Sequence, residues 1–277
     1  MNAAKKITKA AAHALIPGFL FEKLQAIRWR RALVRHMEKE GLVDATKRYI
    51  ERNGCIVKHG PFAGTIYPLD AALSRISIPS LLGTYEHELH GILRTVIQRK
   101  YDLVIDIGSA EGYYTIGLAR ALQIKVLAYD PEPIERKFCQ QAAKLNNVES
   151  LVELRDLFYA SDIKKFRDLR VLCVCDCEGF ETEIFNATSI QDVGRWDLLI
   201  ELHGDAVQRL TNLGWPQRVS EITSAPPTKS YVELEGLGDQ RKLLSENRSG
   251  PQTWLWCDSQ PEAIFAQRHG NPPDLQH

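Results

Sequence analysis

The chain has no surplus of either charge: 35 Lys and Arg stand against 35 Asp and Glu over 277 residues. Its total charge therefore gives no reason to expect a nucleic-acid partner. Cysteine is sparse and uneven, with Cys55, Cys139, Cys173, Cys175, Cys177 and Cys257. That is not the dispersed framework of a small disulfide-stapled domain, so reduced thiols and a cytoplasmic location are expected. Long apolar runs are missing too. The longest, Ala10–Phe21, follows Lys5, Lys6 and Lys9 as a signal segment would, but it contains His13 and Pro17, lacks a small-residue cleavage site and is too short to span a bilayer. Internal repeats and low-complexity tracts are absent. What is present, 44% hydrophobic and 25% charged residues, is the composition of an ordinary globular protein with enough chain for a large core.

Charge is unevenly distributed. Residues 1–52 carry 12 Lys/Arg and 5 Asp/Glu, which leaves 23 and 30 for residues 53–277. Apolar residues recur at helical spacing over 19–50 and break near Gly41, so residues 1–52 read as a basic helical extension. It serves as a cap on the main domain or as a face for peripheral contact with an anionic membrane or partner. Residues 53–100, rich in Gly and Pro at first, read as short strands and loops that lead into a helix near Thr84, with Thr84 as its cap. From residue 101 strands and helices alternate. Strands are expected at Asp102–Ile107, Ile124–Tyr129, Leu151–Leu154, Val171–Cys175 and Asp197–Leu202, and helices at Gly112–Leu122, Pro131–Leu145, near Ser161–Phe166, at Phe180–Asn186 and at Ala206–Leu213. Strands that are apolar throughout and separated by helices predict an α/β fold, a doubly wound and mostly parallel sheet. Tyr231–Leu234 and Thr253–Cys257 read as a C-terminal antiparallel pair that completes a domain over 101–258, and 259–277 reads as a tail. Cys173, Cys175 and Cys177 fall on one strand face, which suits core packing better than a tetrahedral metal site.

The run Val104-Ile-Asp-Ile-Gly-Ser-Ala-Glu-Gly-Tyr-Tyr114 places a strand, a turn with Gly108 and Gly112, and a helix in succession. Such a turn lets a ligand approach the backbone at a helix N-terminus. A pyrophosphate fingerprint would need glycine where Ala110 and Tyr113 stand, so the dinucleotide reading weakens. Asp106 ahead of the glycines suits a cationic ligand end. Asp130, 22 residues after Gly108, lies at the separation at which a carboxylate receives ribose hydroxyls, and Asp156 with Leu157 follows the third strand where an adenine would lie. Acids at three successive strand ends describe S-adenosylmethionine. The loop residues Ser109, Glu111 and Tyr113 are assigned to the same cofactor.

Residues 82–203 resemble the class I S-adenosylmethionine-dependent methyltransferases and, within them, the FkbM-like family. The resemblance rests on Gly83-Thr84-Tyr85-Glu86, on the Asp106–Gly112 loop, on Asp130-Pro131-Glu132-Pro133, on Asp176-Cys177-Glu178-Gly179-Phe180-Glu181 and on Ile200-Glu201-Leu202-His203. The family commonly has Gly-Ala-Asn-x-Gly in the first loop, where this chain has Gly108-Ser109-Ala110-Glu111-Gly112. The resemblance implies a Rossmann-like fold, O-methylation of a sugar or other small-molecule hydroxyl, and Glu86 over the methionine end of the cofactor. Methyl transfer to oxygen needs alignment and a proton acceptor. His203, just past the fifth strand, is the candidate base, or else a loop cap. Asp176 and Glu178 are candidates for binding acceptor hydroxyls or the cofactor amino group. With Glu201 and His203 they form an oxygen-rich group suited to Mg²⁺. The rest of the Tyr85–His90 cluster reads as a solvated helix face, and the five tryptophans as packing residues. The competing readings are a nicotinamide dehydrogenase and a non-catalytic module that works through the basic N-terminus.

Overall fold

The computed structural model describes residues 41–223, 227, 229–246 and 252–260. The basic segment 1–40, Trp29 and the tail beyond 260 lie outside the described residues. Gly41, in the left-handed conformation at φ 73°, opens helix α1 (Leu42–Asn53), so the break expected near Gly41 is a helix start. Leu42, Ala45, Tyr49 and Ile50 turn one face of α1 into the core.

The sheet is built as the apolar runs require. Among the described residues it has seven strands: β1 (Leu103–Ile107), β2 (Val126–Tyr129), β3 (Val152–Arg155), β4 (Val171–Cys175), β5 (Trp196–Leu202), β6 (Arg218–Thr223) and β7 (Thr253–Asp258). They lie in the order β3-β2-β1-β4-β5-β7-β6. The first five are parallel, and β7 runs antiparallel to both β5 and β6. β1, β4 and β5 are buried along their whole length, because helices cover both faces and leave no polar side for an alternating pattern. Period-two alternation then sorts side chains between two cores. Val104, Leu172, Val174, Leu199 and Trp254 pack on one face, and Ile105, Cys173, Cys175, Leu198 and Ile200 on the other. The first face is covered by α1, α4 (His90–Ile97), α5 (Tyr113–Leu122) and α6 (Pro133–Leu145), and the second by a 3₁₀ turn at Ala160–Phe166 with α7 (Glu181–Ile184) and α8 (Ala206–Thr211). This is the Rossmann-like, doubly wound fold with a C-terminal antiparallel pair. No helix among the described residues is long and apolar enough to cross a membrane.

Four local expectations are corrected. Tyr231–Leu234 is a 3₁₀ turn over Val232–Leu234, and the partner of β7 is Arg218–Thr223. That edge strand shows only Val219 and Ile222 half-buried between exposed polar residues, so its hydrophobic pattern is faint. Thr84 caps no helix: Gly83 at φ 83° ends α3 (Ile78–Leu82), and the N–H groups of Gly83, Thr84 and Tyr85 all donate to the Pro79 carbonyl. The chain then passes through a 3₁₀ turn at His87–Leu89 before α4 begins. Nor is this stretch a solvated helix face, since Tyr85, His87, Glu88 and His90 are all half-buried. Residues 53–83 hold α2 (Leu69–Ser74) and α3, with a single bridge between Ile56 and Ile66, where short strands were expected. The tryptophans do pack: Trp196, Trp254 and Trp256 are buried and Trp215 lies against Phe185.

At the amino end of β5, Arg99 donates to Asp197 Oδ2 at 2.7 Å and to both carboxylate oxygens of Asp258 at 2.9 and 3.2 Å. Tyr101 and Ser259 also donate to Asp197. This clamp ties α4 to β5 and β7 with a buried guanidinium. Replacing Arg99 by Ala strands two buried carboxylates, so we expect a loss of about 3–5 kcal/mol in chemical denaturation. A loss under about 1 kcal/mol would mean that the two acids do not depend on Arg99.

Candidate active site

The strand order reverses between β1 and β4, and the candidate residues collect at the carboxyl ends of the strands on either side of that switch point. Gly108 leaves β1 at φ 84°, and a Cβ built there would fall 1.6 Å from the backbone oxygen of Asp176. Only glycine lets the two loops touch. The Asp176 N–H in turn donates to the Ile107 carbonyl at 2.9 Å, so the first loop and the end of β4 are locked together. The N–H groups of Gly108 and Ser109 donate to the Tyr129 carbonyl at 2.8 and 3.0 Å. Asp130 Oδ2 accepts from Ala110 N–H at 2.9 Å and Oδ1 from Glu132 N–H at 2.8 Å. Asp130 is therefore a brace of the glycine loop as well as a strand-end acid, and its carboxylate has lone pairs beyond those two bonds. Arg136 donates to its backbone carbonyl. Gly112, at φ 100°, opens α5.

Asp106 and Ser109 are buried, and Thr115 Oγ1 donates to Asp106 Oδ2, which ties the first turn of α5 to β1. Ser109 Oγ is buried and has no hydrogen-bond partner among the described residues. Tyr113 is a buried ring in edge contact with Tyr85 and Phe62, at centroid distances of 5.0 and 5.3 Å. Tyr114 donates its hydroxyl to Glu86 Oε2, and Glu246 Oε1 accepts from Glu86 N–H at 2.9 Å. Glu86 thus reaches the start of α5 from the segment before β1. One position past the paired Tyr129 and Arg155, Asp130 and Asp156 end β2 and β3. Asp156 is exposed and accepts from Leu157 N–H at 2.9 Å, and Leu157 is 47% exposed.

On the other side of the switch point lies His203. Its Nδ1 is 2.9 Å from Glu181 Oε1. Its Nε2 lies 3.8 Å from Asp176 Oδ1, 3.7 Å from Glu178 Oε2 and 4.0 Å from Glu201 Oε2. Asp176, Glu178 and His203 each offer a ligand atom within 4.8 Å of the others, so the expected cluster is assembled. It does not fit Mg²⁺, which takes a near-octahedral set of oxygens. Here an imidazole occupies the centre of the group, and Glu178 is 82% exposed. Glu86, Ala110 and Glu178 adopt φ of 48°, 44° and 55°. All three border this edge of the sheet, where strained backbone tends to gather in functional sites.

Electrostatics follow from crowding acids at one edge. Burial pushes the Asp106 carboxyl up to about 7, with Asp176 and Asp130 adding to it and the Thr115 bond opposing. Burial likewise pushes Glu111 up to about 7, helped by Glu135 and Asp130. Asp176 is raised to about 6 by burial and by Glu178, while His203 pulls it down. At His203 burial acts downward, but the Glu181 hydrogen bond and the carboxylates of Asp176, Glu181 and Glu178 outweigh it and raise the imidazole above its ordinary value.

Of the residues picked out in sequence, Glu86, Asp106, Gly108, Ser109, Glu111, Gly112, Tyr113 and Asp130 gather around the first loop. Asp176, Glu178 and His203 meet beside it, and Asp156 and Leu157 stand at the neighbouring strand end. Sequence reasoning gave no site role to Thr115, Tyr114, Glu246 or Glu181. Glu181 was visible as the last acid of the 176–181 run. Nothing in the sequence marks Glu246, which reaches the site from 160 residues away in the chain.

No protein-family model matches the chain, and a search of the curated proteins gives no match. Among solved structures the chain is similar to a precorrin-6y C5,15-methyltransferase from Geobacter metallireducens, at 16% identity over 60% of this chain and 87% of that one, TM-score 0.40. It is similar to the O-methyltransferase TomG of tomaymycin synthesis from Streptomyces achromogenes, solved with S-adenosylmethionine, at 16% identity over 64% and 81%, TM-score 0.40. It is also similar to an rRNA methylase from Streptococcus thermophilus, at 15% identity over 62% and 96%, TM-score 0.41. Likeness at this distance carries neither residue roles nor a substrate across to this chain.

The raised Asp106 carboxyl has a consequence for stability. The unfolded chain releases this proton near pH 4 and the folded chain near 7. The group's contribution is therefore fully present below about pH 4 and is lost as pH rises to 7 and beyond. Asp106→Asn removes that titration while keeping an acceptor for Thr115. Urea midpoints of the two proteins should shift in favour of the variant as pH rises from 4 to 7, then run parallel. A constant difference across that range would show that Asp106 titrates normally.

Proposed function

We propose that the protein is an S-adenosylmethionine-dependent methyltransferase of the FkbM-like type that acts on a hydroxyl oxygen of a sugar or other small molecule. The observation that carries this reading is the glycine loop locked against the end of β4, with acids at successive strand ends on one side and a carboxylate-bound histidine on the other. The fit to the cofactor is supported by the orphaned, buried Ser109 hydroxyl in the first loop, a loop that the Gly108–Asp176 contact holds in place.

Bound S-adenosylmethionine supplies a methyl group already activated by a sulfonium. The chain supplies the rest. The Gly108–Gly112 backbone offers close approach, Asp106 a buried carboxyl beneath it and Asp130 an acceptor for ribose hydroxyls. Asp156 and Leu157 take the adenine. Glu86, with Tyr113, Ser109 and Glu111 nearby, faces the methionine end. Asp176 and Glu178 hold acceptor hydroxyls, and His203 Nε2 takes the acceptor proton.

The test is calorimetric titration of the protein with S-adenosylmethionine and S-adenosylhomocysteine, beside Asp130→Asn and Gly108→Ala. We expect micromolar binding by the parent chain, a loss of tenfold or more with Asp130→Asn, and no binding by Gly108→Ala. Absence of binding by folded parent protein would overturn the reading and bring forward the non-catalytic module, with residues 1–52 as its contact to a membrane or partner.

A further inference from the structure

Glu181 is fully buried, yet it belongs to no strand or loop of the cofactor side. Its Oε1 gathers three donors: Cys177 N–H at 3.3 Å, Gly179 N–H at 3.1 Å and His203 Nδ1 at 2.9 Å. The 177–179 loop curls around that oxygen, with Glu178 at φ 55° and Gly179 at φ 108°. Oε2 has no hydrogen-bond partner among the described residues. Burial alone would raise this carboxyl, but the bonds from His203 and the loop N–H groups hold it below its ordinary value. An ionised carboxylate can only accept, so Nδ1 of His203 must carry a proton.

We infer that Glu181 is the positioning residue of this site: its buried carboxylate fixes the ring and tautomer of His203 and turns Nε2 toward Asp176 and Glu178. The inference rests on the proposed role of His203 as the proton acceptor. In the neutral imidazole Nε2 is then the bare nitrogen, the one able to accept a hydroxyl proton. One oxygen also orders the loop that carries Glu178, so base and acceptor-binding acid are set by the same group. Held this way, the imidazole loses its proton only above its ordinary value, so activity should rise with pH through that raised value. The groups that face His203 are Asp176 and Glu178 from the loop after β4, Glu181 from α7 and Glu201 from β5 itself. Asp205, at the start of α8, is exposed and pairs with Arg209.

Glu181→Gln is the discriminating variant. Its amide oxygen can stay with the three donors, while the amide nitrogen takes the place of Oε2, which bonds to nothing described. Shape is kept and charge is lost. Nitrogen-15 NMR of the parent protein should show His203 protonated at Nδ1 when neutral, and titrating above its ordinary value. In Glu181→Gln the His203 titration should move to lower pH. The rising limb of kcat/KM should follow it, kcat should fall on the order of a hundredfold or more, and cofactor affinity should hold within about threefold. A parent spectrum with the proton on Nε2, or a variant whose His203 titration and pH–rate limb are unmoved, would overturn the inference. The parent spectrum decides even if the variant does not fold. Because the NMR readout needs no cofactor, a parent protein that fails to bind S-adenosylmethionine would refute the functional proposal while leaving the Glu181–His203 geometry to be judged by itself.

Discussion

Everything at the active edge depends on one close approach, the backbone of Gly108 against the carbonyl of Asp176. β1 and β4 are neighbours in the sheet, paired from Leu103–Val171 to Ile107–Cys175. The chain leaves both strands at the same level, so the two departing loops must share space that a single methyl group would fill. Glycine resolves the conflict, and the resulting contact fixes two things at once. It sets the floor of the cradle, and it determines where Asp176 begins the 176–181 run. Glu178, Glu181 and, across β5, His203 take their positions from there.

The two ends of the sheet handle buried charge in opposite ways. At the amino end of β5, Asp197 and Asp258 share one buried arginine with well-formed hydrogen bonds, and the result is a mechanical clamp. At the carboxyl end, acids outnumber basic partners, and His203 is the one imidazole among Asp176, Glu178, Glu181 and Glu201. Such crowding cannot be relieved by full ionisation. Burial first, and the neighbouring carboxylates after it, hold the protons of Asp106, Glu111 and Asp176 to about 7, 7 and 6. A clamp serves the fold. An edge with protons held near neutral pH is the kind of place where acid–base chemistry is found.

The parallel sheet was legible because each central strand is a short apolar run between helical segments, and Asp106, Asp130, Asp176 and His203 were found because they stand where such runs stop. What escaped the sequence has physical causes. β6 is an edge strand with one half-buried apolar residue on each face, Val219 and Ile222, so these are outnumbered by polar residues and Tyr231–Leu234 offered a stronger pattern. The false helix start at Thr84 arose because a capping residue looks alike whether it begins a helix or follows a left-handed glycine. Glu181 looked like one more acid of a run, since burial and the convergence of donors on one oxygen are properties of the folded loop. Glu246 joined Glu86 through a contact that no local pattern encodes.

The same electrostatics bear on which nucleotide-like ligand the cradle prefers. A dinucleotide would place its pyrophosphate at the start of α5, but Glu111 lies in that turn, with Asp106 beneath it and Asp130 braced against Ala110. At an effective dielectric of about 20, two unit charges about 4 Å apart interact by about 4 kcal/mol. Two phosphate charges would repel whichever of these carboxylates is ionised and hold the protons of Asp106 and Glu111 on to still higher pH, so such a ligand would bind with uptake of protons. The sulfonium and ammonium of S-adenosylmethionine would act in the opposite sense, its carboxylate apart: they would draw the raised acids back toward ionisation, so that binding would release protons. The missing third glycine and the surplus of acids thus weigh against the dinucleotide for the same reason that they favour a cationic cofactor.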